Sequence, residues 1–230
     1  MDGSMRMEAG RRSVTADEGW KAKNASKRSK NKRKINMELR EEKRRLRKEL
    51  MQRRDALSEE AQVRAQVLIT ERILGHQWFY LSDTILGFVD YGSEIRTREI
   101  LKEALQKGKK VFVPRIEKAG DSKEQTMTFY RIESLEELEE GFRGILEPNG
   151  TTQRYEYDPE QAKKTLLIMP GVGFDPLRNR MGYGKGFYDR FLEGKDELQV
   201  RSIAIGHACQ MTERIPADEK DLRPYQVILV

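Results

Sequence analysis

The segment Thr165-Leu-Leu-Ile-Met169 is a near-continuous apolar run. Such a run reads as a strand covered on both faces, the kind of strand that parallel sheets bury between helices. It leads into a long Gly-rich loop and then into Phe187-Tyr-Asp-Arg-Phe-Leu192, a helix candidate. The rest of the chain repeats this alternation. Leu39, Leu46 and Leu50 recur at helical spacing, through about residue 56. Ser58 to Leu74 predicts a second helix, with Ser58 as its cap and Gly75 as its stop. Thr84 to Asp90 predicts a buried strand, followed by a loop over Tyr91-Gly92-Ser93-Glu94. Thr97 is expected to cap a helix with Ile100, Leu101, Ala104 and Leu105 on one face, ending at Gly108. Lys110 to Val113 predicts a strand stopped by Pro114, and Met127 to Tyr130 another. Ser134-Leu-Glu-Glu137 has the form of a capping box opening a short helix. Arg201 to Ile205 and Val227 to Val230 complete the strands. Strands alternating with helices predict an α/β protein with a mostly parallel sheet between helical layers.

Charge is distributed unevenly over the 230 residues. The formal net charge is +6, but residues 1–36 hold 11 Lys+Arg against 4 Asp+Glu, a net of +7. That leaves 33 of the 44 basic and 34 of the 38 acidic residues for the remainder, a net of −1. The body is therefore near neutral, and the chain divides into a basic tail (1–36) and a domain (37–230). With almost nothing apolar to bury, the tail is expected to be disordered. It is a solvated extension, a stretch upstream of a start at Met37, or a weak nonspecific contact for nucleic acid. As an alternative to catalysis, the chain is a non-catalytic protein that binds nucleic acid or another ligand through this tail. Glu8, Asp17 and Glu18 argue against a transit peptide. No run of about 18 apolar residues occurs, which excludes a spanning helix, and the N-terminus lacks the apolar core of a secretory signal. The single cysteine, Cys209, excludes an internal disulfide framework and fits a reducing cytoplasm. It has no nearby basic partner that would activate it. His76, beside Trp78, Phe79 and Tyr80, reads as a packed or capping residue.

Chemistry concentrates in Pro170-Gly-Val-Gly-Phe-Asp-Pro-Leu-Arg-Asn-Arg-Met-Gly-Tyr-Gly-Lys-Gly-Phe-Tyr-Asp-Arg190. It leaves the carboxyl end of a buried strand, where open α/β sheets place their ligands. Gly182, Gly184 and Gly186 let backbone amides approach an anion, Arg180 and Lys185 flank them, and the following helix presents its positive end. The spacing is neither GxGxxG nor a Walker A loop. Asp189 beside a phosphate cradle would repel the ligand unless a divalent cation lay between, which suggests a Mg²⁺-nucleotide; the alternative is a favourable first-turn acid. In the first helix, Lys43 and Arg47 lie along the apolar stripe of Leu39, Leu46 and Leu50. Either they snorkel to the surface or they meet an anion at the core's edge.

The segment Pro170 to Asp175 with Arg180-Met-Gly-Tyr-Gly-Lys-Gly-Phe-Tyr-Asp-Arg190 resembles the signature of the 5-formyltetrahydrofolate cyclo-ligase (5,10-methenyltetrahydrofolate synthetase) family. Lys43-Arg-Arg-Leu-Arg47 resembles its N-terminal helix, and Phe88 to Glu94 with Ile95 and Thr97 its substrate loop. Gly144 to Pro148 and Ile215 to Asp221 also fit, so the likeness covers about residues 40 to 230. The resemblance implies a three-layer α/β/α sandwich of Rossmann-like type. It implies closure of 5-formyltetrahydrofolate to 5,10-methenyltetrahydrofolate with ATP and Mg²⁺, releasing ADP and phosphate. A formamide oxygen is a poor leaving group; phosphorylating it makes an iminium phosphate that N10 attacks before phosphate departs. That step requires alignment and charge neutralisation rather than a dedicated nucleophile. Carried onto this sequence, Lys43 and Arg47 would contact ATP phosphates, and Arg180, at the transferring phosphate, and Lys185 would be the catalytic residues. Gly182, Tyr183, Gly184, Lys185 and Gly186 would wrap nucleotide and substrate, Asp189 and Asp221 would hold Mg²⁺, Glu94 would bond the folate and Val89 would line its pocket. Phe187 and Tyr188 would pack beside the substrate. The chain would work as a monomer without a membrane partner. Departures are Arg178, where the family has Gly, Phe187 for a frequent Tyr, and Lys185 for a Gly seen in many members.

Overall fold

The computed structural model describes residues 16–118, 125–217 and 221–230. Among these, the residues up to Glu42 and those from Lys43 to Val230 form two units. Helix α1 (Ala16–Asp55) runs through 40 residues that contain one glycine and no proline. The backbone is thus helical where an unstructured tail is expected; Lys, Arg, Glu and Ala favour helix without needing an apolar stripe. Residues 1–15 lie outside the described residues.

Helix α2 (Glu59–Leu74) starts at Ser58, whose hydroxyl accepts the Ala61 amide, and stops at Gly75, as expected. Helix α3 (Gln77–Leu81) is capped by His76, whose Nδ1 accepts the Trp78 amide at 3.1 Å. Strand β1 (Thr84–Leu86) is shorter than predicted. Thr97 is the reason: its hydroxyl donates to the Phe88 carbonyl at 2.6 Å and its amide to Asp90 at 3.0 Å, closing a loop where ladder bonds would continue. Thr97 consequently makes no side-chain cap for helix α4 (Arg98–Gln106).

Strand β2 (Lys110–Lys118) runs straight through Pro114 and pairs antiparallel with β3 (Gln125–Ile132). The Phe112 carbonyl accepts from Gly87 on the β1 side. Two residues on, the Pro114 nitrogen faces the same side, where β1 has already ended, so its missing N–H removes no ladder bond. Ser134 opens a 3₁₀ turn, Leu135–Glu137, and the Glu137 carboxylate accepts from the Glu133 amide, one residue short of a capping box. A small ribbon of β4 (Glu139–Glu140) and β5 (Leu146–Glu147) follows, then helix α5 (Pro159–Ala162). Strand β6 (Thr165–Met169) is buried at every residue. Beyond it lie the hairpin of β7 (Gly173–Phe174) and β8 (Arg180–Met181), helices α6 (Phe187–Leu192) and α7 (Asp196–Gln199), and strands β9 (Ser202–Gly206) and β10 (Gln226–Leu229).

The six-stranded sheet has the order β10-β9-β6-β1-β2-β3, parallel except for β3 at one edge. Side chains alternate between two apolar layers. Ile85, Leu166, Ile168, Ile203 and Ile205 pack under α2 and α4 through Ile69, Ile73, Ile100 and Leu101. Leu86, Leu167, Met169 and Ala204 face Phe174, Tyr188, Leu192 and Leu198 on the other side. This is the expected three-layer α/β/α sandwich. From β1 the chain proceeds one way to β2 and β3, then returns to place β6 on the other flank of β1. The crevice at the carboxyl ends of β1 and β6 is therefore the topological switch point.

Candidate active site

Two loops meet at the switch point: the one after β1, which carries Ser93 and Glu94, and the Gly-rich loop after β6. Asp175 shapes the second. Only 2% exposed, its carboxylate accepts the amides of Leu177, Asn179 and Ile215 (each 2.9 Å) and the Asn179 side-chain amide (2.7 Å). Burial works to raise its pKa, but the bonds from Asn179, Ile215 and Leu177 outweigh burial and hold it below the usual value. Arg178 sits in this turn at φ 63°, the left-handed conformation that its departure from Gly puts at issue. Its guanidinium is secured by the Tyr225 carbonyl and lies 5.9 Å from the Tyr225 ring centre. A non-glycine residue in this conformation costs roughly 1 kcal/mol. Arg178→Gly is therefore expected to raise stability by about 0.5–1 kcal/mol with turnover unchanged, as read by chemical denaturation.

The same loop then presents Arg180, 9% exposed, from β8. One guanidinium nitrogen donates to the Pro170 carbonyl at 3.3 Å, another lies 3.5 Å from Asp189, and the group stands 5.2 Å from the Tyr188 ring centre. Arg180 Nε and the Tyr188 hydroxyl are buried and lack partners among the described residues. Gly184 and Gly186 take φ of 93° and 63°, so the chain turns as only glycine does cheaply. A Cβ on Gly184 would also stand 3.3 Å from the Arg47 guanidinium. Helix α6 spans six residues and starts from the left-handed Gly186, too short to supply the dipole that its sequence suggests; the positive field comes from side chains.

Helix α1 brings those side chains. Arg47 Nε donates to the Gly182 carbonyl at 2.8 Å, and Lys43 Nζ lies 2.5 Å from Asp221. Both cations thus face the Gly-rich side of the site rather than snorkelling into water. Burial lowers the Arg47 pKa, though a guanidinium remains charged. Asp189 also accepts the Leu222 amide at 3.2 Å, which draws Asp189 and Asp221 to the same edge. No cluster of three or more His, Cys, Asp or Glu occurs among the described residues. Mg²⁺ does not need one, since it binds through one or two carboxylates plus phosphate oxygens. The donor set Asp189 and Asp221, together with the unpartnered Arg180 nitrogen, fits a metal-bound anion.

On the other loop, Glu94 is 6% exposed and accepts the Tyr183 hydroxyl at 2.8 Å and the Tyr91 amide at 3.0 Å. Burial raises its pKa, against the Tyr183 bond, the Arg54 charge and the Tyr91 amide. Lys185 is exposed, Phe187 is half-buried edge-on to Phe142, and Val89 lies within the apolar layer beneath the loop. His207 is buried and Cys209, its thiol pKa raised by burial, is no activated nucleophile. One charged residue escapes the sequence reading. Arg54, 3% exposed, donates to Tyr183 and to Ser93, both at 3.0 Å. It lies seven residues beyond Arg47, two helical turns along the stripe of Leu50, so extending that stripe would have found it.

Open α/β sheets bind their ligands in a crevice of this kind, and the comparisons narrow the class. The sequence model of the 5-formyltetrahydrofolate cyclo-ligase family matches residues 39–230. A mouse 5-formyltetrahydrofolate cyclo-ligase is 33% identical over 181 residues, covering 74% of this chain and 85% of the mouse protein. The Escherichia coli (strain K12) enzyme of the same name is 27% identical over 166 residues, covering 71% and 86%. The structure of Aquifex aeolicus 5,10-methenyltetrahydrofolate synthetase aligns with TM-score 0.64 and 28% identity, covering 79% of this chain and 86% of that one. A Mycoplasma pneumoniae synthetase shares the fold, with TM-score 0.60, 22% identity and coverage of 81% and 97%. The chain belongs to the 5-formyltetrahydrofolate cyclo-ligase family.

Proposed function

We propose that this protein closes 5-formyltetrahydrofolate to 5,10-methenyltetrahydrofolate at the expense of ATP, releasing ADP and phosphate. The observation that carries the reading is the convergence of Lys43, Arg47 and Arg180 with Asp189 and Asp221 around the Gly-rich loop at the switch point. Phosphoryl transfer asks mainly for alignment and charge neutralisation, and these groups supply both. Lys43 and Arg47 hold the ATP phosphates, and Gly182, Gly184, Lys185, Gly186 and Tyr188 surround the nucleotide; Tyr183 borders it by its backbone and turns its hydroxyl to Glu94 on the folate side. Arg180, with an unpartnered buried Nε, neutralises charge on the phosphoryl group moving to the formyl oxygen. Asp189 and Asp221 would hold Mg²⁺, which supplies further neutralisation of the phosphates when bound. Glu94 bonds the folate, with Val89 and Phe187 beside it.

The catalytic domain is assigned to residues 37–230, acting as a monomer in the cytoplasm. The basic tail serves at most as a weak nucleic-acid contact. No helix among the described residues is long and apolar enough to cross a membrane. A chain beginning at Met37 is expected to turn over at the full-length rate; a large loss would place the upstream residues in the site. The function itself is tested by mixing the protein with 5-formyltetrahydrofolate, ATP and Mg²⁺ and following the near-ultraviolet absorbance of the methenyl product. A rise that requires all three components supports the reading, and its absence from folded protein overturns it.

A further inference from the structure

Arg54 carries a full charge in a place that is 3% exposed, and burying a charge is expensive unless something answers it. Its donors go to hydroxyls rather than directly to carboxylates. Nε bonds Ser93 Oγ and one terminal nitrogen bonds the Tyr183 hydroxyl, each at 3.0 Å, while the other terminal nitrogen has no partner among the described residues. The carboxylates lie one hydroxyl further on. Tyr183 donates to Glu94 at 2.8 Å, and Ser93 donates to Asp55. Arg54 thus holds the two site loops at once: Ser93, next to Glu94, on the loop after β1, and Tyr183 on the loop after β6. Its guanidinium also stands 5.9 Å from the Tyr183 ring centre. A tyrosine that accepts from a cation and donates to a carboxylate is polarised in one direction, which strengthens both bonds.

We propose that Arg54 is a positioning residue for the folate half of the site, orienting Tyr183 and, through its hydroxyl, the Glu94 carboxylate, without itself touching substrate. This rests on the assignment of Glu94 to the folate. The relay leaves the phosphate side alone, because Arg47 and Arg180 are held by the Gly182 and Pro170 carbonyls. The charged groups facing Glu94 are Arg54 and Asp90. Removing the Arg54 charge therefore makes the carboxylate easier to protonate.

The test uses the full-length protein and steady-state kinetics in both substrates. Arg54→Gln is expected to raise KM for 5-formyltetrahydrofolate roughly tenfold or more, the size of a lost hydrogen bond to a charged group, with KM for ATP within about twofold of wild type. The acid limb of kcat/KM for the folate should move to higher pH, and Arg54→Lys, which keeps the charge, should recover part of the loss. Tyr183→Phe cuts the relay with Arg54 in place, so it gives the same folate-selective rise even where Arg54→Gln melts too low to assay. Combining the two should cost little more than either alone. An equal rise in both KM values, or no selective change in Tyr183→Phe, overturns the proposal. Glu94→Gln separates the two levels. A folate KM that responds to Glu94 but not to Arg54 or Tyr183 sinks the positioning role alone; a folate KM indifferent to Glu94 removes the assignment on which it rests.

Discussion

Arg180→Ala should lower turnover by on the order of 10³-fold or more, while the thermal midpoint moves by only a few degrees. Arg180 is 9% exposed, and its guanidinium reaches the β6 strand end through Pro170, Asp189 on α6 and the face of Tyr188. In such a dry setting a fixed positive charge neutralises a phosphoryl group far better than water does. Other cations cannot move into its place, since Arg47 is tied to Gly182 and Lys43 to Asp221. The fold tolerates the loss because the Asp189 carboxylate keeps the Leu222 amide and is partly open to solvent. Methenyl product formation under saturating substrates is the measurement. A rate within tenfold of wild type would remove Arg180 from the reaction.

The second large effect concerns stability. Asp175→Ala takes away one carboxylate and leaves four donors without an acceptor, three in the Gly-rich loop and the Ile215 amide in the segment after β9. Unpaired buried donors together with a lost buried charge cost about 3–5 kcal/mol. For a chain of this length that corresponds to a fall in melting temperature of about 10 °C. The pH dependence follows from the direction of the pKa shift. Hydrogen bonds hold the folded carboxyl below its unfolded value, so its contribution is complete above the unfolded pKa and is lost as pH falls through the folded one. The variant should therefore show a shallower loss of stability in acid than the wild type. Calorimetry across the acid range checks both magnitude and slope; an unchanged midpoint would mean the loop is held by other contacts.

Much of the loop that forms the candidate site was legible before folding. Glycines around a lysine, flanked by Arg180 and Asp189 and placed after a doubly buried strand, single out the loop that lies at the switch point, and β6 and α6 fall where the sequence reading places them. Helix α2 also keeps its expected cap and stop. These features depend on turn chemistry and side-chain periodicity within a few residues. The exceptions share one cause. Thr97 looks like a helix cap, yet its hydroxyl answers the Phe88 carbonyl, nine residues away. Pro114 looks like a strand terminator, yet it sits where β1 has already stopped. In each case the local rule is sound, and what faces the residue in the folded chain decides the outcome: a loop carbonyl for the Thr97 hydroxyl, and no β1 partner for the Pro114 nitrogen.

The sequence by itself determined the alternation of strands and helices, the doubly buried β6, the Gly-rich loop and the residues that bear charge. Only the tertiary structure decided that Lys43 and Arg47 turn inward, because their partners, Asp221 and Gly182, lie 178 and 135 residues away. It likewise decided that Arg54 joins Tyr183 to Ser93, contacts that span 129 and 39 residues. Local propensity acts over a turn or two of chain. Which distant loops share a crevice is set by strand order, and here the order reverses between β1 and β6, bringing the two loops and one face of α1 together.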